Sequence, residues 1–155
     1  MAIEETLLSE RLSMVVVRAA NRLCALPLAS VIETLRCPLF IAVSGAPACV
    51  AGVAMIRGAT VAVVDLGILL GADSAAGPAA RLVTLRVGQR TVGLAVHSVI
   101  GVREFDGAEL AEVPPMLRQA HPDVLTAVGS LDRELLLVLD GSRILSEETM
   151  GRLED

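Results

Sequence analysis

Between Arg36 and Asp65 the sequence carries a single charged side chain, Arg57, and Gly58 follows it directly. Apolar residues flank this pair on both sides, so the stretch 52–66 reads as two strands joined by a tight turn. Gly58 supplies the positive φ that a side chain would resist. Val61, Val63 and Val64 provide β-branched strand residues, and Asp65 ends the apolar run. A guanidinium among apolar strand residues is costly unless a carboxylate or backbone carbonyls receive it. The chain is therefore expected to supply Arg57 with a partner.

The same alternation of short apolar runs and turn residues extends along the chain. Strands are expected over 14–18 and 23–28, then a short helix over 29–35 with Ser30 as N-cap and Glu33 closing a capping box. Residues 39–43 read as extended chain, followed by a turn at 45–47. A small-residue segment, 71–80, reads as an exposed loop. A hairpin over 81–87 and 91–96 about Gly88-Gln89, a strand over 99–105 and a last hairpin about Asp132-Arg133 complete the β structure. Residues 109–122 read as irregular, and 142–153 as a C-terminal helix capped by Ser142. Nine or ten short strands with few helices predict a mainly β fold of two small barrels, separated by the 71–80 loop and preceded by a polar lead-in over 1–11. Trp and Tyr are absent and Phe occurs only at Phe40 and Phe105, so the core must be aliphatic.

Charge and motifs exclude several functions. The net charge is −5 and all thirteen basic residues are Arg, which argues against a nucleic-acid partner. The charge-free run 37–56 is long enough to span a bilayer, but Pro38, Gly45 and Pro47 interrupt it, so no direct membrane insertion is expected. Cys24, Cys37 and Cys49 lack metal-ligand or CxxC spacing and read as free thiols in a reducing cytoplasm. The acidic first residues lack a signal peptide's apolar core. No phosphate-binding loop, nucleophile elbow or metalloprotease motif occurs. His97, in an apolar run, reads as a hydrogen-bonded structural residue, and His121 as a loop residue. Asp65 reads as a cap, and Glu147-Glu148 as a solvated helix face. No catalytic residue, metal or cofactor is expected. A β-barrel with an interior ligand pocket or enzymatic site stays open as an alternative to an interaction protein.

The order of short motifs carries a resemblance. Val31-Ile32-Glu33, Pro47, Gly52-Val53, Arg57-Gly58 and Val63-Val64-Asp65-Leu66 are followed by Val87-Gly88-Gln89-Arg90, Val92-Gly93-Leu94 and Val96. Near the end stand Leu125-Thr126-Ala127-Val128-Gly129 and Leu135-Leu136-Leu137-Val138-Leu139-Asp140. Together they resemble the CheW family of chemotaxis coupling proteins over about residues 12–150. The resemblance implies two five-stranded SH3-like barrels packed together, a short helix after the second strand, a C-terminal helix and no catalysis. It implies a cytoplasmic adaptor bridging a chemoreceptor's helical tip and the regulatory domain of a CheA-type histidine kinase. It pairs Glu33 with Arg57, in competition with the capping box. It also assigns Val31, Gly52, Val99 and Val102, with that pair, to a receptor-facing groove between the barrels, and makes Gly58 and Gly93 structural turn glycines. Weak self-association through an exposed aliphatic strand edge is a further expectation.

Overall fold

The computed structural model describes residues 11–72, 79–120 and 124–145. Ten strands alternate with very short helical pieces: β1 (Arg11–Ala19), β2 (Arg22–Pro27), β3 (Val31–Arg36), β4 (Val50–Ile56), β5 (Ala59–Asp65), α1 (Leu66–Leu69), β6 (Arg81–Val87), β7 (Arg90–Val96), β8 (Ser98–Asp106), α2 (Pro115–Ala120), β9 (Leu125–Leu131) and β10 (Glu134–Leu139). They form two five-stranded sheets, ordered β8-β1-β2-β10-β9 and β3-β6-β7-β5-β4. Pairing is antiparallel except for β2 with β10 and β5 with β7. The first lobe is thus built from the two ends of the chain, and the second from the continuous middle.

Why each sheet closes follows from its side chains. Met14 and Val16 of β1, Leu23 and Ala25 of β2, Phe105 of β8, Ala127 of β9 and Leu136 and Val138 of β10 meet in one apolar cluster. Ala54, Val63, Leu82 and Ala95, with Leu35 packed on them, bring all five strands of the other sheet together likewise. Alternate residues of these strands point the other way. Val15, Val17, Cys24, Leu26, Leu137 and Leu139 from one lobe join Val64, Val83, Leu85, Val92, Leu94 and Val96 from the other in a third, shared cluster. Strands buried on both faces must be apolar at nearly every position, which is why the sequence runs MVVV, VAVV and LLLVL without polar interruption.

Turn chemistry matches the backbone. Arg57 and Gly58 both take positive φ, 50° and 79°, as a type I′ hairpin requires. Asp132 and Arg133 do the same at 50° and 67° without a glycine. Gly88 sits at φ 63° in the β6–β7 turn.

Five expectations are corrected. The helix expected over 29–35 is a single 3-10 turn, Leu28–Ser30, with no side-chain cap, followed by strand β3. Val31, Ile32 and Thr34 are β-branched, and exposure along β3 alternates with period two, so pairing with β6 overrides the local helix signal. The capping box is absent at Ser30–Glu33 and occurs instead at Asp106 and Glu109. Gly93 belongs to no turn: it lies within β7, where a Cβ would come 2.9 Å from Leu82 Cδ2. Residues 115–120, expected to be irregular, form α2. Of the expected C-terminal helix, the described residues contain only the 3-10 turn Gly141–Arg143, capped by Asp140 rather than Ser142. The rest of that helix, most of the 71–80 loop, nearly all the lead-in, His121 and Glu147-Glu148 lie outside the described residues.

Candidate functional site

Arg57 finds its partner in Glu33. Its Nε donates to Glu33 Oε2 and one terminal nitrogen to Oε1, both at 2.7 Å, a two-pronged pair. The guanidinium lowers the Glu33 carboxyl below the usual range, and the carboxylate raises Arg57 in turn. Arg57 is not desolvated, however. Its side chain is 76% exposed and that of Glu33 26%, because the turn carries Arg57 out of the sheet. The pair is therefore a surface feature, and it links β3 to the tip of the β4–β5 hairpin. Those strands are the two edges of the second sheet, so the pair spans the seam where that sheet closes.

Glu33 is held from behind. Its N–H donates to Thr84 Oγ1 and its carbonyl accepts from the same hydroxyl, each at 3.2 Å. The register between β3 and β6 passes from Val31↔Leu85 to Glu33↔Thr84, leaving Ile32 unpaired as a bulge. Thr84 is the one fully buried polar side chain among the described residues. Sequence reading passed over it; the sign was a lone hydroxyl inside the apolar run LVTL.

Gly52 lies in β4 beneath residues 40 and 41. The N–H of Ile41 donates to Val53 O at 2.9 Å and the N–H of Val53 to Ile41 O at 2.8 Å. A Cβ on Gly52 would sit 2.3 Å from Ile41 O, so only glycine lets this segment settle on the sheet. The result leaves Leu39, Ile41 and Met55 largely exposed beside the seam. Val31 follows the Leu28–Ser30 turn, which touches both β1 and β6, and packs on the shared cluster. Val99 packs on the same cluster from β8, whereas Val102 is 51% exposed along that edge strand. Val31 and Val99 thus each border the core shared by the two lobes, while Glu33 and Arg57 meet at the second lobe's seam and Gly52 lies further along β4.

Among the described residues, Asp65, His97, the Arg18–Glu134 pair and Cys24 are engaged in structure. Asp65 Oδ1 accepts from the N–H of Ile68 at 3.0 Å, capping α1 as expected. His97 Nδ1 accepts from the N–H of Ala20, and the backbone N–H of His97 donates to Arg18 O, tying the β1–β2 turn to the start of β8. Arg18 grips Glu134 through two bonds of 2.7 and 2.9 Å across the first sheet, a pair that sequence spacing does not reveal. Cys24 is fully buried, and burial pushes its thiol up to about 12. Among the described residues no group of three or more His, Cys, Asp or Glu could hold a metal ion, and no helix is long and apolar enough to cross a membrane.

Two barrels fused through one aliphatic core, with an ion pair displayed at a seam, define a two-lobed β scaffold. The chain belongs to the CheW-like domain family, whose model matches residues 13–149. It is 25% identical over 114 residues to the chemotaxis protein CheW of Klebsiella aerogenes, covering 73% of this chain and 69% of that protein. Its fold is similar to the crystal structure of the scaffolding protein TtCheW from Thermoanaerobacter tengcongensis, with a TM-score of 0.78 at 18% identity over 90% of this chain and 96% of that one.

Proposed function

We propose that this protein is a non-enzymatic adaptor that couples chemoreceptor tips to a CheA-type histidine kinase in a cytoplasmic signalling array. The observation that carries the reading is family membership over nearly the whole chain, supported by a scaffolding protein of the same fold. Residues 12–150 form the coupling domain in this reading. Its receptor-facing surface comprises Val31, Glu33, Gly52, Arg57, Val99 and Val102. The apolar members would pack against helical side chains of the receptor, and the Glu33–Arg57 pair at the seam would fix the polar register.

The competing reading, a barrel with an interior ligand or catalytic site, needs convergent polar groups in a cavity. The clusters inside both barrels are instead made of apolar side chains. Titration calorimetry of the whole chain against a receptor-tip fragment and, separately, against the kinase regulatory domain tests the proposal. Binding to both is expected. Glu33→Ala and Arg57→Ala should each weaken the receptor complex more than the kinase complex, with the double variant less impaired than the sum. Failure to bind either partner would remove the adaptor reading.

A further inference from the structure

A threonine buried in an aliphatic barrel costs more than the isosteric valine unless its hydroxyl has a task. Thr84 is 1% exposed, in the middle of β6, opposite Gly93 of β7. Its hydroxyl has one donor and two acceptor positions. One position receives the Glu33 N–H and the hydrogen goes to the Glu33 carbonyl, so both backbone polar groups of one residue are clipped by one side chain. That residue directly follows the bulge at Ile32, where β3 gains a residue over β6. A bulge re-aims the side chains around it. Here Ile32 is turned outward, 45% exposed, and the next side chain runs to Arg57.

We propose that Thr84 is a positioning residue for the partner-binding surface: its hydroxyl locks the Ile32 bulge and so directs the Glu33 carboxylate onto Arg57. This rests on the reading of the Glu33–Arg57 pair as receptor-facing, but the geometry it describes can be read without any partner. Valine at this site fills the same volume and makes neither hydrogen bond. Serine keeps both.

The experiment compares Thr84→Val with Thr84→Ser in the whole chain. Carboxyl NMR titration reads whether Glu33 still meets Arg57, since that contact is what holds its carboxyl low. Thr84→Val is expected to return Glu33 toward the ordinary glutamate range and to weaken receptor-tip binding ~10-fold, with kinase-domain binding within about twofold. Thr84→Ser should leave all three measurements as in the parent. An unchanged Glu33 titration in Thr84→Val overturns the proposal. So does a Thr84→Ser chain that behaves like the valine variant, or a Thr84→Val chain that does not fold, because the hydroxyl would then serve folding and not aim. Glu33→Gln distinguishes the two levels: if it leaves receptor binding unchanged, the receptor-facing reading fails while the titration result for Thr84 stands.

Discussion

Replacing Gly52 by alanine adds one methyl group in a place where the backbone of a neighbouring segment already lies. The new Cβ would be 2.3 Å from Ile41 O, 2.7 Å from Ile41 C and 2.9 Å from Phe40 Cδ2. Ordinary contact needs roughly another 1 Å. The rigid partner here is β4, paired along its length with β5, so residues 40 and 41 must move away. A shift of that size takes both Ile41–Val53 bonds, now 2.9 and 2.8 Å, out of hydrogen-bonding range. Two backbone bonds at about 1 kcal/mol each, with some lost Phe40 packing, give a destabilisation of about 2–3 kcal/mol. Urea unfolding should show a lower midpoint at unchanged slope, and Tm should fall by roughly 5–10 °C for a chain of this size. Hydrogen exchange localises the effect: the Ile41 and Val53 amides should lose protection while those of β6 and β7 keep theirs. A loss below about 0.5 kcal/mol with both amides still protected would refute the packing argument.

Other parts of the structure give equally direct expectations. Arg18 holds the Glu134 carboxyl below its ordinary range, so the stability from this pair is fully present above the unfolded glutamate value and disappears as pH falls through the depressed folded value. The Tm gap between the parent and Glu134→Gln should therefore be widest near neutrality and narrow only as pH falls below the ordinary glutamate range; a gap independent of pH would exclude the ion pair as its cause. Arg133 adopts φ 67° in an exposed turn, so Arg133→Gly should relieve left-handed strain and raise stability by about 1 kcal/mol, read as a higher Tm. Cys24, buried and with its thiol pushed up to about 12, should resist thiol reagents in the native protein and react only with denaturant; three thiols titrating natively would contradict the shared core.

The hairpins were legible because their signals are local. Arg57-Gly58, Gly88-Gln89 and Asp132-Arg133 each separate two apolar runs, and each is a turn in the structure. The Asp65 cap was readable for the same reason. Residues 29–35 misled because Ser30 and Glu33 have capping-box spacing, whereas the strand they enter is imposed by β6, fifty residues away in sequence. Pairing of Arg57 with Glu33 came from family resemblance alone; the residues themselves left capping open. Thr84 and the Arg18–Glu134 pair were invisible because their meaning depends on which strands become neighbours. The apolar neighbours of Arg57 in sequence imply a buried charge in need of neutralising, yet positive φ on both turn residues lifts it into solvent.

The order in which the lobes can be completed follows from their strand order. During synthesis the second sheet, drawn from residues 31–96, has all its strands once β7 has emerged, while β1 and β2, made first, still lack β8, β9 and β10. Their apolar residues face both ways and await partners from the far end of the chain. The usual sequence of N-terminal parts settling first is thereby reversed. A nascent chain stalled after residue 96 would present a finished barrel beside an unpaired, strongly aliphatic hairpin. That hairpin is the species a chaperone would have to shield until β10 arrives to lie parallel to β2.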